Sequence, residues 1–177
     1  MSAHGENRAS RSGVAEVVRT LLLALVLAFL IRSFVLESFE VEGTSMLPTL
    51  QSGDRVLVNK LAYRLGAPQT GQIVVFQSPV IPSQDWIKRV IGVPGDTVMV
   101  RNNVVYINGK PYAEPFVKYP QSVNVAKTYV PPGYLWVEGD NRPKSFDSRM
   151  FGLLPMKDVK GQAFLVWWPP NAIRWLS

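Results

Sequence analysis

The chain has 177 residues, a formal charge of +6 at pH 7, no cysteine and a single histidine, His4. That length allows one modest domain beside a hydrophobic N-terminal segment, and the missing cysteines exclude disulfides, thiolate metal sites and thiol nucleophiles. With the only imidazole at the extreme N-terminus, hydrolytic chemistry farther along must carry its protons on Lys, Asp, Glu or Tyr.

The first element is apolar. From Val14 the sequence runs VAEVVRTLLLALVLAFLIRSFVLESFEVEG, with Leu21 to Ile31 uninterrupted and Arg19 and Arg32 at its edges. The unbroken run is too short to span a bilayer, but Val17 to Leu36 gives about 20 residues, or about 30 Å as a helix. Arginines near either end can snorkel to the headgroups. A secretory signal peptide and a buried core helix are the rival readings. Against the first, no small-x-small cleavage site follows; the run passes into Phe34, Val35, Leu36, Glu37, Ser38 and Phe39. The expectation is a cytoplasmic tail over 1–13, a transmembrane anchor over 14–36 and an extracytoplasmic domain over 37–177. Arg8, Arg11 and Arg19 precede the span and Glu37, Glu40 and Glu42 follow it, a bias that keeps the N-terminus cytoplasmic.

Short apolar or alternating runs come next, at Arg55 to Asn59, Gln72 to Gln77, Trp86 to Ile91, Thr97 to Arg101, Val104 to Ile107, Tyr134 to Glu138 and Gln162 to Trp167. They read as strands. Asn102-Asn103 and Asn108-Gly109 read as tight hairpin turns, the second a strong type I′ signal. Pro68 to Thr70 and Pro115 to Pro132 read as loops. The fold class expected is all-β, a mostly antiparallel coiled sheet or partly open barrel. The positive charge comes without a Lys/Arg block with interleaved aromatics, so no nucleic-acid partner is expected.

Three stretches carry chemistry. Ser45 lies in GTSMLPTL, a Gly- and Pro-bounded turn that by itself is ordinary turn chemistry. It is not a G-x-S-x-G elbow, because Leu47 stands where the second Gly should be, and no serine in the chain has Lys three residues later. Lys88 and Arg89 sit together in DWIKRVIGVPGD. Alternation puts Trp86, Lys88 and Val90 on one face and Ile87, Arg89 and Ile91 on the other. A lysine among apolar neighbours can lose its proton near neutrality, whereas arginine cannot lose it at all. Lys88 is therefore expected on the inward face, and Arg89 as a charged surface or ion-pairing residue. Gly139 to Arg149, GDNRPKSFDSR, is the most polar stretch. Taken alone it reads as a solvated loop closed by Asp147–Arg149 or Asp140–Arg142 ion pairs. It lacks calcium-loop spacing, and neither a metal nor another cofactor is expected.

Together these pieces resemble the bacterial type I signal peptidases, or leader peptidases, in the short form with one N-terminal anchor. The resemblance runs from the anchor to about Pro155, through SMLPTL, GDRVLVNK at Gly53 to Lys60, WIKRVIGVPGD and GDNRPKSFDSR in order. It implies the β fold of that family. It also implies a serine endopeptidase that cleaves signal peptides from exported preproteins after small-x-small motifs, through a Ser-Lys dyad and an acyl-enzyme. Ser45 would be the nucleophile and Lys88 the general base; Ser145 would hold the lysine amine by a hydrogen bond, and Asp147 and Arg149 would support the site as a buried or half-buried ion pair. One branch of the family has a serine two positions before the nucleophile to hold the oxyanion. Gly43 stands there in this chain, leaving the Ser45 backbone N–H and another donor in the Gly43 region. Lys144 reads as solvent-facing. The partners implied are preprotein signal peptides and membrane lipids, with the protein translocation machinery a further candidate. The place implied is the bacterial cytoplasmic membrane, crossed once. Trp167, Trp168 and Trp175 are candidates for an apolar surface at the interface, with core packing an equal or better account of the first two. The alternatives are another Ser-Lys peptidase of the same fold, such as the self-cleaving repressors, and a non-catalytic membrane-tethered β binding domain.

Overall fold

A computed structural model describes residues 6–120 and 123–176; His4 and the start of the expected tail lie outside them. The chain divides between Leu36 and Glu37 into two units.

The first unit is a helix, α1 (Glu6–Phe34). Its described side chains include those of residues 15–29, which make about 22 Å of helix against a hydrocarbon core of about 30 Å. Among the described residues, no helix is long and apolar enough to cross a membrane.

The second unit is β-rich. Its elements in order are β1 (Leu36–Glu40), whose first residue closes the first unit, β2 (Arg55–Asn59), α2 (Ala62–Leu65), β3 (Ile73–Gln77), β4 (Asp85–Gly92), β5 (Thr97–Arg101), β6 (Val104–Ile107) and β7 (Lys110–Pro111). Then come β8 (Val125–Tyr129), β9 (Tyr134–Glu138), α3 (Ser148–Phe151), β10 (Leu154–Pro155), β11 (Val159–Trp168) and β12 (Arg174–Trp175). One sheet has the order β1-β2-β11-β3-β4-β9-β10, with β12 also on β11, and a second has the order β7-β6-β5-β8. The registered strand pairs from β2 onward are antiparallel. Two open sheets, with no closed barrel among the described residues, are what the alternating runs build.

The strand expectations hold within a few residues at each end. Both hairpins form as read: Asn102 and Asn103 have φ of 51° and 66°, Asn108 and Gly109 of 53° and 78°, the left-handed pairs of a type I′ turn. The segment Pro115 to Pro132, expected as a loop, instead contains β8, paired with β5. VAKTY is an outer strand with its middle residues exposed, so it lacks the apolar alternation that marks a half-buried strand.

Three apolar clusters fill the unit. Val41, Met46, Leu50, Val56 and Val75 form one, Val74, Phe76, Val90, Leu135 and Val137 a second, and Ile91, Val98, Val105 and Trp136 a third. β4 touches all of them: Ile87 packs on the first, Trp86 and Val90 on the second and Ile91 on the third. The strand that holds Lys88 is therefore braced by all three clusters.

Candidate active site

Ser45 follows β1 in a turn that opens at Gly43, whose φ of 83° is disfavoured for any residue with a side chain. Met46 and Leu50 drive into the first cluster and peg the turn from below. From the side, the Asn141 N–H donates to the Ser45 carbonyl at 2.9 Å and the Asn141 amide to the Thr44 carbonyl at 2.9 Å. The Thr49 hydroxyl donates to Asp140, and Arg174 donates to the Thr49 carbonyl at 2.6 Å. The Ser45 hydroxyl is thus carried on a turn tied at both ends.

Lys88 comes from the middle of β4 and is 5% exposed. Its Nζ lies 2.8 Å from Ser45 Oγ, donates to the Ile87 carbonyl at 3.1 Å and sits 5.8 Å from the Trp86 ring centre. Burial lowers its pKa to about 8, the main cause being desolvation of the ammonium; Asp147 and Asp140 pull back the other way. Trp86, Phe146, Phe151 and Phe76 form a chain of rings 6.1–6.5 Å apart, of which Trp86 and Phe146 line the same cavity as Lys88. A neutral amine at hydrogen-bond distance from a hydroxyl can accept its proton.

Arg89 is not a surface residue. It is 2% exposed, donates from Nε and Nη2 to the two oxygens of Asp140 at 2.9 and 2.8 Å, and lies 4.0 Å from the Phe116 ring centre. The fork geometry that makes guanidinium a two-point partner for carboxylate accounts for the burial. Through Asp140 and Thr49, this pair joins β4 to the Ser45 turn.

The polar stretch Gly139 to Arg149 is a buried lattice, not a solvated loop. Asp147 and Arg149 pair at 2.7 Å, as expected, and Asp147 also caps α3 and accepts from the Gly139 N–H at 3.0 Å. Asp140 pairs with Arg89 instead of Arg142. Arg142 pairs with Glu114 and with Glu138, the latter at 2.8 Å. Burial holds the Glu138 carboxyl above the usual carboxylate range, against the pull of Arg142. Lys144 is exposed. Ser145 departs from expectation: it is buried, and its Oγ has no hydrogen-bond partner among the described residues. The Lys88 amine spends its contacts on Ser45 and the Ile87 carbonyl instead.

Sequence reading gave Gly139 no role, yet it sets the spacing of the site. A Cβ there would collide with Ser145 Oγ and the Ser45 carbonyl, so only glycine lets these two segments close over the end of β9. The pairing Arg89 to Glu138, continued by one residue, puts Lys88 opposite this same glycine. Glu114 and Asn141 also went unassigned, because their partners are 28 and 97 residues away, and Glu138 because its partner Arg142 was expected to pair with Asp140.

A cavity of about 440 Å³ opens over Ser45 and Lys88. Its long walls are the chain from Phe39 to Glu42, continuing the outer strand β1, and the start of β4; Val41, Val56, Val75 and Ile87 give it an apolar floor. The Ser45 backbone N–H, which makes no hydrogen bond among the described residues, is free to serve an oxygen placed there.

The family model described as signal peptidase, peptidase S26, matches residues 14–168. Over 169 residues the chain is 41% identical to a probable signal peptidase I-1 of Synechocystis sp., covering 92% of this chain and 85% of that protein. It is 40% identical over 175 residues to signal peptidase I of Bacillus licheniformis, covering 93% and 94%. A solved signal peptidase I from Enterococcus faecalis V583 aligns at 34% identity over 55% of this chain and 97% of that one, with a TM-score of 0.48. The chain belongs to the signal peptidase family, peptidase S26. Membership makes it a peptidase, a hydrolase of peptide bonds.

Two expectations follow from the buried cations. Asp140→Asn removes the carboxylate facing Arg89 in the interior, and costs about 3–5 kcal/mol of stability in denaturant titration. Lys88→Met does the opposite. A lysine whose folded pKa is about 8 against an ordinary 10.5 destabilises the fold by about 3 kcal/mol below pH 8, and by nothing above pH 10.5. The methionine variant is therefore more stable than wild type at pH 7, and the gain shrinks as pH rises through that window.

Proposed function

We propose that this chain is a membrane-anchored serine endopeptidase that cuts signal peptides from exported preproteins after small-x-small motifs, with Ser45 as nucleophile and Lys88 as general base. The observation that carries this reading is the Lys88 amine at 2.8 Å from the Ser45 hydroxyl, with its pKa brought down to about 8 by burial.

The extended end of the signal peptide lies in the groove between Phe39–Glu42 and the start of β4, adding a strand between two existing ones. Small side chains enter the shallow apolar floor, and bulky ones do not fit. Neutral Lys88 takes the Ser45 proton as Oγ forms its bond to the scissile carbonyl carbon. The tetrahedral oxyanion is received by the Ser45 N–H and a second donor from the Gly43 region. The Lys88 ammonium then gives its proton to the leaving nitrogen as the C–N bond breaks, leaving an acyl-enzyme on Ser45. Lys88, neutral again, takes a proton from water as its oxygen attacks the acyl carbon. That second addition collapses to free the peptide acid, and the proton returns to Ser45. Arg89, Asp140 and Asn141 act as positioning residues that hold serine and lysine in register. Asp147 and Arg149 brace the same corner.

The anchor is read from Val17 to Leu36. Supporting it, Val17, Leu21, Leu22, Leu25, Val26 and Phe29 are all more than half exposed around the described part of α1; a helix apolar on all sides belongs in lipid or in a core. The arginines before it and the acids after it orient the domain away from the cytoplasm, which places it on the outer face of a bacterial cytoplasmic membrane. Trp168, Ile173 and Trp175 are exposed near the end of the chain, amphipathic or apolar groups suited to the bilayer interface. Trp167 is half-buried and bonded to Ser38 at 2.9 Å.

The test is cleavage of a preprotein whose signal ends in Ala-x-Ala by the purified full chain. Ser45→Ala and Lys88→Ala each lower kcat/KM by at least about 10³-fold, and Lys88→Arg is equally inactive although it keeps the charge. Variants that cut as fast as wild type would sink the dyad. In wild type, kcat/KM rises with pH as the neutral amine accumulates, with an apparent pKa near 8; a limb near 10 would mean that the working base is a hydrated lysine.

A further inference from the structure

A second cavity, of about 590 Å³, opens where β2 ends and β11 begins. Among the described residues its rim carries Lys60, Arg64, Lys157 and Lys160 against a single acid, Glu37. Glu37 takes Lys60 at 3.4 Å, and Asp85 takes Lys160 at 2.6 Å. Arg64 and Lys157 are exposed and have no ion pair among the described residues. The floor between these cations is apolar, with half-buried Tyr63, Met156 and Val159 and the bare backbone of Gly161. A side chain at Gly161 would strike the Asn59 carbonyl, so the floor stays open there. Two uncompensated cations above an apolar floor suit an amphiphile with an anionic head and an apolar stem, and suit a fully hydrated anion less well.

The pocket's one acid also fixes its place along the chain. Glu37 follows Phe34, the last residue of α1, by three residues, or about 10 Å of extended backbone. If α1 ends at a bilayer surface, as the proposed function has it, the rim that Glu37 forms is within headgroup reach. We propose that this pocket binds the headgroup of an anionic phospholipid: Arg64 and Lys157 meet the phosphodiester, and Tyr63 and Met156 lie along the glycerol and first acyl carbons. The proposal rests on the anchor reading and adds to it a second point of attachment on the β domain.

The full chain in neutral detergent is incubated with dioleoylphosphatidylglycerol or dioleoylphosphatidylcholine at equal concentration, or with inorganic phosphate, and the bound adducts are counted by native mass spectrometry. Wild type retains phosphatidylglycerol in preference to phosphatidylcholine. The double variant Arg64→Glu, Lys157→Glu loses that preference by at least about tenfold, while its cleavage of a short soluble peptide is unchanged and shows the fold intact. Equal retention of both lipids, retention of phosphatidylglycerol that survives the double reversal, or binding of inorganic phosphate without the lipid overturns the proposal. Flotation with pure phosphatidylcholine vesicles separates the two readings. A chain that floats without headgroup preference defeats only the pocket; a chain that does not float defeats the anchor and the pocket together.

Discussion

Lys88 and Arg89 are neighbours on one strand, and both are taken out of water. An ionised side chain in the interior must be matched by an opposite charge or give up its proton. The two residues divide those outcomes between them. Arg89 cannot deprotonate, and it has Asp140 in two-point contact. Among the described residues Lys88 has no carboxylate at contact distance and bonds a hydroxyl and a carbonyl, and burial makes its proton easy to lose. The rest of the unit follows from keeping these two environments distinct one residue apart. Burial desolvates the lysine, and the carboxylates of the Gly139–Arg149 stretch, held in contact with arginines, oppose it only from a distance.

That division also explains why the polar stretch is buried. Each of its acids is spoken for: Asp140 by Arg89, Asp147 by Arg149. Glu138, beside them, sits against Arg142. An arginine network of this kind is weak evidence for stability by itself. Its effect here is positional, since Asn141 and Asp140 reach from it to Thr44, Ser45 and Thr49. The serine is thereby indexed to the same strand as the lysine.

Most of the longer strands were legible as short apolar or alternating runs between turn signals, and the hairpins because Asn-Asn and Asn-Gly adopt left-handed backbone easily. Elimination narrowed the proton carrier to Lys, Asp, Glu or Tyr, since the chain has no cysteine and no internal histidine; Ser45 and Lys88 were brought together by the resemblance of their motifs. Arg89 was the harder residue, because period-two alternation says which face it shares but not what faces it, and Asp140 is 51 residues away. Gly139 was invisible for a different reason. Its role is the absence of a side chain where two segments distant in sequence close together, and no local pattern encodes that. β8 was missed because an outer strand can be polar along its length, and the Ser145 bond was expected from resemblance alone, with no spacing in the chain to support it.

The groups that hold Ser45 are drawn from far along the chain: Asn141, Asp140 and, last, Arg174, which reaches from the start of β12 back to Thr49 and Asp54. A nascent chain made as far as residue 138 already contains the serine and the lysine but none of these supports. Long-range closure of this kind comes late in folding, after the loops between have been shut. During synthesis, then, the hydroxyl and the amine are both present before the groups that hold them together, and the order of the sequence itself delays the moment at which the two come within hydrogen-bond reach.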